Sequence, residues 1–401
     1  MLSPDIALLA SIILVLVLIR LKLHVGLAVF AGGVVLSLIA MPLGSLPGRI
    51  WDTLMGYQTL RLMAIIASSM ALSSLMDKKG LLDRLATSME HLNPKVALHF
   101  IPAVIGFVPM PGGALVSATA ARKLVGRRSL NPEESTFINY WFRHIWEFSI
   151  PVYPSIVIAS VILAVPISRV IGTLFPMTIV VILVGAFFSY RILRQSPSRN
   201  GRFSRAILAD FLKSAWPVIL LVTLVVSGLE ALIAFPLTLA AVILQQKANW
   251  DEIKTAAKYG LDYKFLFFIF AIMLYKTTIE SSGATSAVFH DIEQWSLPAI
   301  FILVLFPFII GFATGISAAF ASVALPLLIP YIGMGAGINQ PTLLLAYVSG
   351  MMGVLLTPTH LCLTLSAAYF KANLGHTIIR YVLPPVLVSL AVAAGYYLLA
   401  S

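Results

Sequence analysis

Apolar residues fall in long blocks separated by short clusters of basic and turn-forming residues. The first blocks run from about Asp5 to Ile19, Val25 to Met41 and Leu60 to Met76. A helix needs about 20 mostly apolar residues to cross the roughly 30 Å hydrocarbon core of a bilayer, so these blocks predict three membrane spans. Lys78 to Lys95 mixes charge with leucines at helical spacing, the pattern of an interfacial amphipathic helix. Over 96–125 two short apolar pieces flank Pro109, Met110, Pro111, Gly112 and Gly113. They are too short for two crossings and too broken for one, which predicts a re-entrant hairpin. The segment 136–166 is long enough to cross but is interrupted at Pro151 and Pro154, and Ile167 to Tyr190 crosses back.

A basic linker over 191–213 leads into a second half that repeats the first. Spans are expected over Ala215 to Ala234, Phe235 to Gln245 and Phe265 to Ile279, with a surface helix between Lys247 and Lys264. A second hairpin over 297–329, a second broken helix over 343–369 and a last span from Thr377 to Leu399 follow. Asp77 and Gly80 match Glu280 and Gly283 at an offset of 203; Gly106, Phe107 and Ser117 match Gly311, Phe312 and Ser322 at 205; Pro151 matches Pro358 at 207. The expected fold is therefore an all-α membrane protein with about ten crossings and two re-entrant hairpins, built from repeats at 1–190 and 214–401. Five crossings per half make the second repeat inverted, with its broken helices at mid-membrane. Placing the linker in the cytoplasm puts most other basic clusters on the same side and both termini outside, in line with the positive-inside rule.

Composition agrees with a lipid environment: 59% of residues are hydrophobic, 11% are charged and the mean hydropathy is +0.96. The formal charge of +11 sits in short clusters between apolar blocks, which read as topology determinants of an inner-membrane protein and not as a nucleic-acid surface. The start has no basic leader and no small-residue cleavage site, so it is expected to be a retained span. A single cysteine, Cys362, excludes a disulfide framework; its position in an apolar block predicts a buried structural thiol and no thiolate metal site. His144 and Glu147 have metal-ligand chemistry, but no second cluster in the sequence completes a site, and the metal remains unassigned.

Unpaired backbone groups at mid-membrane are costly unless they line a cavity or are buried in protein, so the four predicted breaks mark the candidate binding site. Half-helix amino ends suit an anion and freed carbonyls suit a sodium ion. Candidate solute contacts are Pro109, Pro111, Gly112 and Gly113 at the first hairpin tip, and Thr314, Gly315 and Ser317 at the second. Pro151, Tyr153, Thr357, Pro358 and Thr359 at the helix breaks complete the set, with Arg143 as counter-charge. Glu147 and His360 are candidates for handling a coupling cation or proton. Arg143 and Glu147, four apart, could also form a structural pair on one helical face. No cofactor is expected beyond a possible sodium ion.

The segments GFVPMPGGALVSA and LLTPTHLCLTLSAAYF, with the broken-helix repeat around them, resemble a family of prokaryotic integral membrane proteins described as domain of unknown function 401, grouped with the ion transporter superfamily. The resemblance spans essentially the whole chain. It implies a scaffold bundle holding a mobile domain of two hairpins and two broken helices, working as an elevator in a homodimer within the lipid bilayer. The dicarboxylate branch of that superfamily carries Ser-Asn-Thr at both hairpin tips, whereas this chain has Pro-Met-Pro-Gly-Gly and Ala-Thr-Gly-Ile-Ser; that branch's specificity and sodium ligands do not carry over. Secondary transport of a small organic anion coupled to sodium or protons is the favoured reading, ahead of a sodium/proton antiporter. An ion channel lacks a repeated charged ring, and an intramembrane enzyme lacks any Gly-x-Ser-x-Gly or His-Glu-x-x-His motif.

Overall fold

A computed structural model describes residues 4–21, 23–89, 94–107, 113–126, 130–194, 205–283, 287 and 298–400. The described residues form helices and turns, with no strand among them. Before the 195–204 stretch the helices are α1 (Pro4–Arg20), α2 (Val25–Ala40), α3 (Leu46–Met55), α4 (Tyr57–Lys78), α5 (Leu81–Met89), α6 (Pro94–Ile105), α7 (Gly113–Gly126), α8 (Pro132–Arg143), α9 (Pro154–Ile162) and α10 (Ile167–Arg194). After it come α11 (Arg205–Val226), α12 (Ala231–Gln245), α13 (Trp250–Gly260), α14 (Tyr263–Ser281), α15 (Ala299–Thr314), α16 (Ser317–Ile332), α17 (Gln340–Leu356), α18 (Leu361–Phe370) and α19 (Leu374–Ala400). The last of these carries a π-helical turn over Ile378–Val382.

Five stretches are long and apolar enough to cross a membrane: Tyr57–Lys78, Ile167–Tyr190, Ile207–Val226, Gln340–Phe370 and Leu374–Ala400; shorter apolar helices add to them. Exposed apolar residues line one face of α1 (Ile6, Leu9, Ile13, Val17) and one face of α10 (Phe175, Ile179, Leu183, Phe187). At about 25 cal/mol per Å², such stripes would be strongly unfavourable in water and are at home in hydrocarbon. The molecule is a multi-pass membrane protein.

Sequence and structure differ at three places. The short helix α3 was not expected; its leucine and isoleucine positions alternate with polar ones at helical period, but proline and glycine near its start hide the signal. The turn between α11 and α12 falls at Ser227–Glu230, where Gly228 takes φ 95°, several residues before Phe235. Pro236 does not mark the boundary: it lies inside α12, and the helix runs on through it. Helix α10 also continues to Arg194 and α11 begins at Arg205, so much of the basic linker is helical.

The centre of the molecule is the first half of each broken helix. Ser135 to Arg143 in α8 and Thr342 to Leu355 in α17 are buried without interruption. Hairpin limb α6 packs on α8, and limb α15 on α17; the returning limbs α7 and α16 pack on α18 and α9 respectively. Outside them α2 packs on α14 and α4 on α12, and α13 lies across α4. A Lys79–Glu252 ion pair of 2.6 Å fixes the α4 end to α13.

Glycines permit the closest of these contacts. A Cβ on Gly106 would overlap the Arg143 carbonyl oxygen, and one on Gly311 would overlap that of Gly350. Backbone cannot rotate away as a side chain can, so Gly311→Val is expected to destabilise the fold by about 1–3 kcal/mol or more. Thermal unfolding in detergent measures it; an unchanged midpoint would mean that α15 and α17 are not held this close.

Candidate functional site

Helix α8 begins with an Asn131 capping box and ends at Arg143. A 3-10 turn over Ile145–Phe148 and an irregular stretch to Tyr153 separate it from α9. The second break, Thr357 to His360, divides α17 from α18. Prolines at 151, 154 and 358 remove amide donors here, which frees carbonyls of the preceding turn. Two buried tyrosines take up that demand across the molecule. Tyr140 in α8 donates to the Leu355 carbonyl at 3.0 Å, and Tyr347 in α17 donates to the Glu147 carbonyl at 3.1 Å. Each break thus has one carbonyl bonded by a tyrosine from the other broken helix, in keeping with the cost of unpaired backbone in a buried site.

The second hairpin tip turns at Gly315, in the left-handed region with φ 66°. His360 Nδ1 donates to the Gly315 carbonyl at 2.7 Å, which ties the tip to the second break. Thr314 Oγ1 donates to the Ile310 carbonyl at 2.8 Å, so this hydroxyl serves the helix end. Thr357 and Thr359 hydroxyls bond each other at 3.0 Å beside the tip.

A cavity of about 210 Å³ opens where the breaks meet. Of the residues expected from sequence it gathers Arg143, Glu147, Tyr153, Ser317 and His360, and it adds His144, Cys362, Ser69 and Tyr259. Arg143, His144 and Glu147 are each no more than 5% exposed, so the cavity sets three ionisable groups deep in the protein. The Arg143 guanidinium lies against Gly113, the first residue of α7, where a Cβ would overlap it. Tyr153 donates its hydroxyl to the Gly106 carbonyl of the first hairpin. Ser317 and Glu147 line the same cavity. Pro151, Thr314, Gly315, Thr357, Pro358 and Thr359 stand next to the cavity but do not line it, and Pro109, Pro111 and Gly112 lie outside the described residues.

Three helices begin at this cavity: α9 at Pro154, α16 at Ser317 and α18 just before Cys362. None has a side-chain cap; the residues before them are Tyr153, Ile316 and His360. The first turns of these helices, which carry the positive dipole ends, thus border the same space as Arg143.

Two expectations need revision. Because α8 ends at Arg143, Glu147 stands on the 3-10 turn and not one turn further along the same helix, so the spacing of four carries no helical pair. Cys362, expected to be buried, is half-buried, and its sulfur and one ring nitrogen each of His144 and His360 all lie within 4.8 Å of one another. The completing partners of His144 are more than 200 residues away in sequence, and no local spacing could have revealed them.

Among curated proteins none matches this chain. Among solved structures the chain is similar to one described as "Crystal structure of the Alcanivorax borkumensis YdaH transporter reveals an unusual topology", with a TM-score of 0.61 at 15% identity over 89% of this chain and 88% of that one. That likeness shows the fold. Residues 2–399 match the model of the family described as "Protein of unknown function (DUF401)". The all-helical membrane fold and the motifs at both breaks thus accord with a match over nearly the whole sequence, and the chain belongs to the DUF401 family.

Proposed function

We propose that this protein is a secondary active transporter of the elevator type that moves a small organic anion coupled to Na+ or H+. The observation that carries the reading is the convergence of three uncapped helix amino ends and the buried Arg143 on one cavity. Amide dipoles and a guanidinium together are a carboxylate site. A volume of about 210 Å³ is smaller than the pockets of roughly 300–1,000 Å³ that take drug-sized ligands, which points to a small metabolite. Arg143 is the counter-charge, Ser317 and the nearby amides orient the anion, and Glu147 balances the coupling cation. Gly113 lets the first hairpin approach Arg143, with Pro109, Pro111 and Gly112 as the rest of that tip.

Matched contacts in the two halves of the chain support this reading, as an inverted duplication would produce. At the offset of 207 that relates Pro151 to Pro358, Tyr140 corresponds to Tyr347, and those two tyrosines make reciprocal bonds to the breaks. Gly106 and Gly311 make the same close approach to Arg143 and Gly350, which also correspond at 207. Ser117 and Ser322 both donate to the carbonyl three residues back. Gly80 and Gly283 both end a helix with positive φ. On this reading the hairpins and broken helices move as one body against the outer helices, in an inner-membrane homodimer whose termini lie outside.

The test is thermal stabilisation of the purified protein against carboxylates, sugar acids, amino acids and inorganic oxyanions, in sodium and in choline, at two pH values. A ligand at 100 times its Kd adds about 2.7 kcal/mol to stability, a shift readily measured. Stabilisation by an organic anion, enhanced by sodium or low pH, is expected. A response to sodium or pH alone, with no solute effect, would instead indicate a sodium/proton antiporter.

A further inference from the structure

The two histidines at the breaks have their ring tautomers set by backbone. His144 Nδ1 meets the Tyr140 carbonyl at 2.7 Å, and His360 Nδ1 meets the Gly315 carbonyl at 2.7 Å. A carbonyl oxygen can only accept, so both Nδ1 atoms carry hydrogen and both Nε2 atoms present lone pairs when the rings are neutral. Those Nε2 atoms face each other at 3.0 Å, with the rings edge to face at 4.9 Å between centroids. Two lone pairs at that distance repel unless a cation lies between or beside them. The Cys362 sulfur lies within 4.8 Å of a ring nitrogen of each imidazole.

We propose that His144, His360 and Cys362 form a binding site for a late first-row transition-metal ion of the zinc(II) class, at the junction of the two helix breaks. Two imidazoles and a thiolate are the borderline and soft donors such an ion selects. Metal-bound histidines characteristically donate their second ring N–H to a backbone carbonyl or carboxylate, which is the arrangement both rings already have. Around one tetrahedral ion, with Zn–N of about 2.0–2.1 Å and Zn–S of about 2.3 Å, donor atoms sit roughly 3.3–3.6 Å apart. The three donors here lie within 4.8 Å, and small side-chain rotations reach that geometry. A proton shared by the imidazoles would also relieve the lone-pair conflict, but it would leave the sulfur without a role. On metal binding the thiol proton, and any proton shared by the rings, passes to solvent.

Three protein ligands would leave a fourth position open, and Glu147, whose Oε2 is buried without a hydrogen-bond partner among the described residues, lines the same cavity. The ion would also clamp the second hairpin tip to the first broken helix through His360 and Gly315. The inference does not depend on the transport reading, since it concerns only the ligand set and its metal.

Because the chain has one cysteine, thiolate coordination can be read without ambiguity. Tag-free protein in detergent is titrated with Co2+ and followed by absorption. One equivalent should produce a sulfur-to-cobalt charge-transfer band together with tetrahedral d–d bands, abolished by Zn2+ competition. The charge-transfer band should be lost in Cys362→Ser. The wild-type protein provides a second readout that needs no variant: Zn2+ should slow maleimide labelling of Cys362 by roughly tenfold or more. Absence of the charge-transfer band in the wild type, its persistence in Cys362→Ser, or labelling indifferent to Zn2+ would overturn the site and leave the imidazoles bridged by a proton alone.

Discussion

Arg143→Ala is expected to abolish solute binding at concentrations that saturate the wild-type protein. Arg143 is 4% exposed and lines the cavity on which three helix amino ends converge. Truncating one member of a buried, hydrogen-bonded charge pair costs about 2–5 kcal/mol, roughly thirtyfold to several thousandfold in affinity. Arg143→Lys should recover little, because an ammonium cannot reproduce the planar fork that grips a carboxylate. Thermal titration with the solute identified for the wild type measures both variants. Wild-type affinity in Arg143→Ala, in a protein that still folds, would remove the guanidinium from the site.

Gly315→Ala should give the second large effect. The residue has φ 66°, and an added Cβ would lie 2.8 Å from Thr359 Oγ1 and 3.2 Å from Thr357 Cγ2. Left-handed backbone costs an alanine about 1–2 kcal/mol before the steric contact is counted. The strain falls on the carbonyl that anchors His360 and on the amino end of α16, so geometry at the cavity changes along with stability. Binding should weaken by about tenfold or more, with a lowered unfolding midpoint. Gly283→Ala is the control: it also has positive φ, at 70°, but a Cβ there meets nothing within 4 Å among the described residues. It should lose some stability and keep the affinity; equal losses of affinity in both variants would show that backbone strain alone, and not the tip contact, explains the effect.

Helices and breaks were legible because their signals are local. Apolar blocks, prolines 151, 154 and 358, and the glycines at 315 and 283 announce spans, breaks and turns in a few residues. The α11–α12 boundary was misplaced because a proline early in a helix looks the same in sequence as one that ends it. Arg143 and Glu147 suggested a helical pair because spacing cannot show that a helix has ended between them. The tyrosine exchange and the His144–His360–Cys362 cluster were hidden for a different reason. Their partners lie on the two separate broken helices, and only the tertiary packing of one broken helix on the other brings them together.

The central claim is that this cavity carries an organic anion across the membrane in exchange for an ion gradient. The direct measurement is uptake of the stabilising solute into proteoliposomes, with a sodium gradient, a pH gradient or neither, in wild type and Arg143→Ala. Concentrative uptake that requires one gradient, is absent without it and is lost in Arg143→Ala is the predicted result. Solute that equilibrates regardless of gradient, or sodium-driven proton movement without solute flux, would contradict it.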